Sequence, residues 1–111
     1  MRRVLFDEDV PRQLRRELPE FAIRTVQEER WSSVKNGELL RRSSQTYDVL
    51  VTADKRLQYQ QNIPQYDIGV VVIGTLDTRL PRLLQSEVLQ ELRAAIREVA
   101  PGTLIVVRGG E

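Results

Sequence analysis

Asp7, Glu8 and Asp9 stand in a row behind the apolar run Val4-Leu5-Phe6, and Pro11 follows. A second acid, Asp54, closes another apolar run, Asp48 to Ala53 (DVLVTA). A third candidate, Glu38, sits where Asn36-Gly37-Glu38 opens a helical pattern. Carboxylates a few ångströms apart repel one another, and a divalent cation is the usual compensation. Such a cation can acidify water and stabilise an in-line displacement at phosphorus. The chain has no histidine and no cysteine. Imidazole triads, thiolate nucleophiles, disulfides and N/S metal sites are thereby excluded. What remains is oxygen chemistry, which suits Mg²⁺ or Mn²⁺. Asp7 and Asp54 are the candidate ligands in this reading, with Glu38 held more loosely and Glu8 supporting or exposed. Capping is the competing explanation. Asp9 followed by Pro11 reads as a helix N-cap, and Glu38 or Asp54 could favour a helix start in the same way.

The elements that must position these acids follow from the apolar pattern. Residues 3–6, 21–26, 48–53, 68–73 and 103–107 read as strands, and residues 68–73 (IGVVVI) are apolar on both faces, as a central parallel strand is. Residues 10–18 read as a helix with Val10, Leu14 and Leu18 inward. Residues 27–35 read as irregular, with Trp31 as a loop anchor. A helix is expected over 36–45 with Leu39 and Leu40 inward, one or two helical turns over 55–61, and a loop at 75–78. The longest helix is expected over 80–99, with Leu80, Leu84, Val88, Leu92 and Ile96 as its buried stripe, widened by Leu83 and Ala95. Alternating strands and helices predict a three-layer α/β/α sandwich on a mostly parallel sheet. With right-handed crossovers and strand order 2-1-3-4-5, the switch point falls between strands one and three and brings Asp7 to Asp54.

The bulk numbers bound the rest. The 111 residues, 41% hydrophobic and 30% charged, predict one domain over 1–108 with 109–111 as a tail. No apolar run is long enough for a membrane span, and nothing at the start resembles a signal peptide, so a cytoplasmic location is expected. Net charge is +1, yet Lys35 and Lys55 are the only lysines among 17 basic residues. Arginine suits bidentate phosphate contacts, although a codon bias explains it equally well. Lys55 and Arg56 beside Asp54, with Arg12, Arg15, Arg41 and Arg42, could track a phosphate backbone, or simply form a solvated face. Tyr59 could stack on a base or pack on the sheet edge.

FDEDVP near the start, KNGELL in the middle and DVLVTADKRLQYQQN together resemble a small bacterial and archaeal family of PIN-like proteins related to the VapC toxins of toxin–antitoxin pairs. The similarity covers nearly the whole chain. The resemblance implies a PIN-like fold and a Mg²⁺- or Mn²⁺-dependent ribonuclease, with Asp7 as the first carboxylate, Asp54 as the acid of the Thr-x-Asp motif, and Glu38 as the acid opening the preceding helix. It also implies RNA as substrate, an antitoxin as protein partner and a homodimer. Larger PIN nucleases carry a helical insert that supplies another glutamate. Residues 19–35 are too short for it unless Glu28 or Glu29 substitutes. Two alternatives stay open. One is a non-catalytic, degenerate PIN-like module that binds RNA or an antitoxin. The other is a phosphoacceptor receiver domain using Asp54 and Thr75, for which the lysine needed after the last strand is replaced by Arg108.

Overall fold

Five short β-rich runs pair side by side in the computed structural model, which describes residues 1–111. They are β1 (Arg3–Phe6), β2 (Ala22–Thr25), β3 (Val49–Thr52), β4 (Gly69–Ile73) and β5 (Leu104–Val107). All pairings are parallel and the order is 2-1-3-4-5, as the sequence pattern predicts. Every residue of β3 and β4 is buried, because helices cover both faces of the sheet. Phe6 lies beside Thr25 on one side and Val51 on the other, so β1 is the strand on which the order turns.

Side chains alternate cleanly between two cores. Val4, Phe6, Val49, Val51, Val71 and Ile73 point to one face. Leu5, Leu50, Val70 and Val72 point to the other. The second face is covered by α1 (Val26–Glu29), α2 (Asn36–Ser44), α3 (Leu57–Gln60) and a 3-10 turn at Ile63–Gln65, through Val26, Leu39, Leu40, Leu57 and Ile63. The first face is covered by a 3-10 helix (Arg12–Glu17), α4 (Leu80–Leu83) and α5 (Ser86–Glu98). Arg2 ties the start of the chain to that layer by donating to the Ile96 and Val99 carbonyls at the end of α5, 2.9 and 2.8 Å away.

This layering departs from uniform crossover handedness. The connections β3-to-β4 and β4-to-β5 step across the sheet in the same direction, but the first packs on one face and the second on the other. The connections β1-to-β2 and β2-to-β3 reverse both direction and face, and so share the hand of β3-to-β4. The last crossover is therefore opposite in hand to the other three, an uncommon arrangement in parallel sheets.

Four local expectations are corrected. The segment after β1 is a 3-10 helix that starts at Arg12, so Val10 is buried ahead of it rather than within it. The irregular stretch begins with α1, held by a capping box. Thr25 Oγ1 accepts the Glu28 N–H at 3.1 Å, and a Glu28 carboxylate oxygen accepts the Thr25 N–H at 2.9 Å. The long helix is two helices, because Gln85 is extended (φ −65°, ψ 140°). A strict every-four spacing drifts about 40° per step around a helix of 3.6 residues per turn, so one straight helix cannot bury all five stripe residues. The break turns Leu83 and Val88 into the core and leaves Leu84 41% exposed. Finally, residues 109–111 are docked rather than free. Gly109 is buried with φ +61°, and its N–H donates to Glu91 at 2.9 Å. No helix is long and apolar enough to cross a membrane.

Urea denaturation tests the split stripe: Leu83→Ala lowers stability by about 2–5 kcal/mol, whereas Leu84→Ala changes it by less than about 1 kcal/mol. Gly109→Ala also lowers the melting temperature, since a Cβ there meets Val88 Cγ2 at 2.5 Å in a backbone conformation that disfavours L side chains.

Candidate functional site

In an open parallel sheet the carboxyl ends of the strands form one edge, and the crevice at the switch point opens there. Asp7 follows β1 directly, and its N–H donates to the Val51 carbonyl at 2.9 Å, extending the pairing with β3 by one residue. That extension pins the Asp7 backbone, and the residue as a whole is only 7% exposed. One carboxylate oxygen accepts the Glu8 N–H at 2.8 Å. The other accepts the hydroxyl of Thr52, the last residue of β3, also at 2.8 Å. Thr52 Oγ1 in turn accepts the Asp54 N–H at 3.1 Å. One buried hydroxyl thus joins the two acids that the sequence singles out.

Asp54 is fixed on its other side as well. Arg56 N–H donates to one oxygen at 3.0 Å, and the Asn36 amide donates to the other at 3.1 Å. Partial desolvation raises its pKa, but the Arg56 N–H, the Asn36 amide and the Arg56 guanidinium outweigh it and hold the group below its ordinary value. Asn36 is the first residue of α2, so this contact also anchors the start of that helix to the end of β3.

Asp9 is not an N-cap. The residue preceding the 3-10 helix is Pro11, and no side chain caps that helix. Instead an Asp9 oxygen accepts the Ala53 N–H at 3.0 Å, reaching from the β1 end to the β3 end. Its pKa is raised to about 6. Crowding of the carboxylate by protein atoms is the main cause, opposed by the Ala53 N–H, and the charges of Asp7 and Asp54 push the same way. The residue keeps a water-exposed side, so the crowding is one-sided. Asp9 thus feels the charges of both Asp7 and Asp54 across the switch point. None of the ion pairs in the molecule involves Asp7 or Asp9, and Asp54 has only Arg56, at 3.4 Å and itself 78% exposed.

The remaining candidates divide. Glu38 is gripped by its own helix: Arg42 Nε donates to it at 2.8 Å, Arg41 Nε at 2.9 Å, and the two arginines hold its pKa down to about 2. Arg41 is thereby committed to Glu38. Glu8 is exposed, and its carbonyl oxygen accepts the Gln27 amide at 3.5 Å. Glu28 and Glu29, the two acids able to replace the missing insert, pair with Arg15 at 2.8 Å and Arg24 at 2.6 Å. Trp31 is half-buried against the second core and carries the Arg42 guanidinium over its ring, as a loop anchor does. Lys55 and Arg12 are exposed and make no ion pair. Thr52, Asn36 and Asp9 are the positions that sequence reasoning passed over or misassigned. Thr52 was visible in the Thr-Ala-Asp run, since a hydroxyl two residues before an acid can bond its N–H.

The donor set fits a hard cation in chemistry: three carboxylates, oxygen only, with an uncompensated charge. Its spacing is open, for no group of three acidic side chains is close enough to form a ready cation cage. No family model, curated protein or solved structure matches the chain.

The raised Asp9 pKa has a defined effect on the metal-free protein. Between about pH 4 and 6 the folded chain holds a proton on Asp9 that the unfolded chain has lost, so this group's contribution to stability falls as pH rises through that window. Asp9→Asn removes the contribution while keeping an acceptor for Ala53 N–H. Denaturation in EDTA across this range gives a variant that gains stability relative to the wild type as pH rises and is the more stable of the two at pH 7.

Proposed function

We propose that this protein is a Mg²⁺- or Mn²⁺-dependent ribonuclease of the PIN-like toxin kind, hydrolysing phosphodiester bonds at the carboxyl edge of its sheet. The observation that carries the reading is the electrostatic imbalance at the switch point. Asp9 is crowded by the protein and feels the charges of Asp7 and Asp54, and Asp7 is buried with no cationic side chain beside it. Maintaining such an arrangement costs stability unless a bound cation compensates it.

Asp7, Asp9 and Asp54 are the residues that would hold the metal. Bound there, a divalent cation lowers the pKa of water and stabilises charge developing at phosphorus. The protein's own contribution is orientation. The Thr52 hydroxyl fixes the Asp7 carboxylate by donating its proton and the Asp54 backbone by accepting its N–H, so both acids keep their direction as solvent leaves. Ala53 N–H holds Asp9 over the same edge.

A second reading, a non-catalytic PIN-like module that binds RNA or an antitoxin-like protein, draws support from Glu38. Its carboxylate is saturated by Arg41 and Arg42, which leaves the acid set one member short of the arrangement implied by the family resemblance. In that reading, binding survives chelation and Asp54→Asn.

Cleavage of a labelled RNA with Mn²⁺ decides between them. The wild type cleaves, and Asp7→Asn and Asp54→Asn lower the rate by at least about 10-fold. Equal activity in wild type and Asp7→Asn overturns the ribonuclease reading. Glu38→Gln reports separately on the third acid: retained cleavage assigns Glu38 to its arginine pairs, and loss places it among the metal ligands. Calorimetry with Mn²⁺ gives binding to the wild type that Asp7→Asn abolishes.

A further inference from the structure

An open sheet has two edge strands, here β2 and β5, and this molecule treats them differently. In a parallel sheet every second residue of an edge strand turns its N–H and C=O away from the neighbouring strand. In β2 the Ala22 N–H donates to the Arg2 carbonyl, so Ile23 and Thr25 are the outward residues. Both are engaged by side chains. The Ile23 carbonyl accepts the Arg15 guanidinium at 3.3 Å, and the Thr25 N–H donates to the Glu28 carboxylate at 2.9 Å. Arg15 and Glu28 also pair with each other, and Arg24, within the strand, pairs with Glu29. A cover of charged side chains is one way in which sheet edges are kept from pairing with other chains.

The strand β5 has no such cover. The Thr103 and Val107 carbonyls accept the Val70 and Gly74 N–H groups at 3.0 and 2.7 Å, and Ile105 lies beside Val71, so Leu104 and Val106 are the outward residues. Side-chain hydrogen bonds resume only at the two ends of the strand, where Thr103 bonds the Ala100 carbonyl and Glu91 accepts the Arg108 N–H, and none reaches Leu104 or Val106. The run Thr103 to Val107 holds no charge, no proline and no glycine. Leu104, Ile105 and Val106 are each only half-buried.

We infer that the β5 edge is the seat of a second copy of this chain, the two strands running antiparallel about a two-fold axis between their Ile105 residues and joining the two sheets into one. A single register uses every outward group. With Leu104 opposite the partner's Val106 and Val106 opposite the partner's Leu104, each pair exchanges both of its backbone hydrogen bonds. The side chains agree with that register. Leu104 and Val106 lie on one face of the sheet and Ile105 on the other, and a two-fold perpendicular to the sheet keeps each on its own face, so apolar meets apolar on both. The charges beyond the strand are complementary. Arg108, exposed and in no ion pair, comes level with the partner's Gly102, at the start of β5. That start is acidic. Asp67 is exposed and precedes Ile68, whose carbonyl accepts the Gly102 N–H at 3.0 Å, and Glu98, with its side chain 65% exposed, ends α5. A parallel alignment would set Arg108 beside the partner's Arg108 instead. Any other strand would have to share this length, register and charge order, which a second copy brings by symmetry. Two short strands bury little surface, so the pairing is weak and depends on concentration. The inference is independent of the ribonuclease reading, and it goes beyond a homodimer as such by fixing its surface, register and symmetry. The two switch points then open at opposite ends of the joined sheet.

Sedimentation equilibrium over a wide range of concentration gives a mass that rises from 12.9 kDa toward twice that value and no further. Arg108→Glu sets an acid against the partner's Asp67 and Glu98 and weakens association by at least about 5-fold, and adding Glu98→Arg restores it. The chain has no cysteine, so Ile105→Cys brings a single thiol, which the two-fold sets against its own copy at a Cα separation of about 4.5 Å, within disulfide range. With oxidised glutathione it links two copies at least about 10-fold faster than Leu76→Cys, a fully accessible position off the contact. A protein that stays at 12.9 kDa throughout, growth beyond two copies, an Arg108→Glu variant that associates like the wild type, or an Ile105→Cys variant that links no faster than Leu76→Cys overturns the inference.

Discussion

A buried hydroxyl organises this molecule at the point where its sheet changes direction. Thr52 Oγ1 has one proton and two lone pairs, and both kinds of capacity are used: the proton goes across to Asp7 at the end of β1, and a lone pair takes the N–H of Asp54 two residues on. Without that donor the Asp7 carboxylate would be a nearly enclosed charge with one hydrogen bond, from Glu8 N–H, and no counter-ion. The parallel register makes the bond possible. β1 and β3 are in step from Val4 beside Val49 to Phe6 beside Val51, so the residues that follow, Asp7 and Thr52, emerge at the same height. Everything that could act chemically here depends on that one-residue agreement, since a slip by one position would send Asp7 to the opposite face.

Much of this was legible in the sequence because it is local or periodic. The five strands are β-branched runs bounded by polar residues, and their order followed from the position of the acids and the rule that ligands meet parallel sheets at a switch point. Asp7 and Asp54 were legible for the same reason: each ends an apolar strand. The failures have physical causes. Asp9 before Pro11 satisfies the local rule for a helix cap, but a tertiary donor, Ala53 N–H, competes for its carboxylate and wins. The Leu80 to Ile96 stripe satisfies helical spacing on average, but the accumulated rotation had to be released somewhere, and no local signal marks Gln85 as the place. Glu38 was legible as a helix-start acid. What was not legible is that Arg41 and Arg42, three and four residues on, would both turn back to it. The capping box of α1 was present in the letters Thr25-Val26-Gln27-Glu28, masked by the polar residues that surround it.

The charge pattern has a thermodynamic side. Acids and bases are nearly equal in number, yet Asp7 and Asp9 meet no cation, Asp54 meets only the exposed Arg56, and Arg12 and Lys55 meet no acid. Had the two sets simply attracted each other, the edge would have closed into surface ion pairs worth little individually. The backbone prevents it. Asp7 and Asp9 are bound through strand-end N–H groups and a hydroxyl, which hold them against the sheet, while Arg12 and Lys55 lie on separate connections, after β1 and after β3. The separation is therefore built into the fold rather than into the rotamers.

The reversed hand of the final crossover bears on how the chain acquires its structure during synthesis. The helices covering one face, α1, α2 and α3, have all been made by residue 60, and their core then lacks only the strands β4 and β5. The other layer is not. Until residues 83–99 appear, Val4, Phe6, Val49 and Val51 are covered on their face only by the short 3-10 helix and the residues beside it. A nascent chain paused near residue 75 would thus be covered by all its helices on one side and greasy on the other, a state prone to stick to its neighbours. Placing α5 last and on that face makes the carboxyl-terminal third a cover that arrives late, and it ties the solubility of the growing chain to the speed with which its final helix leaves the ribosome.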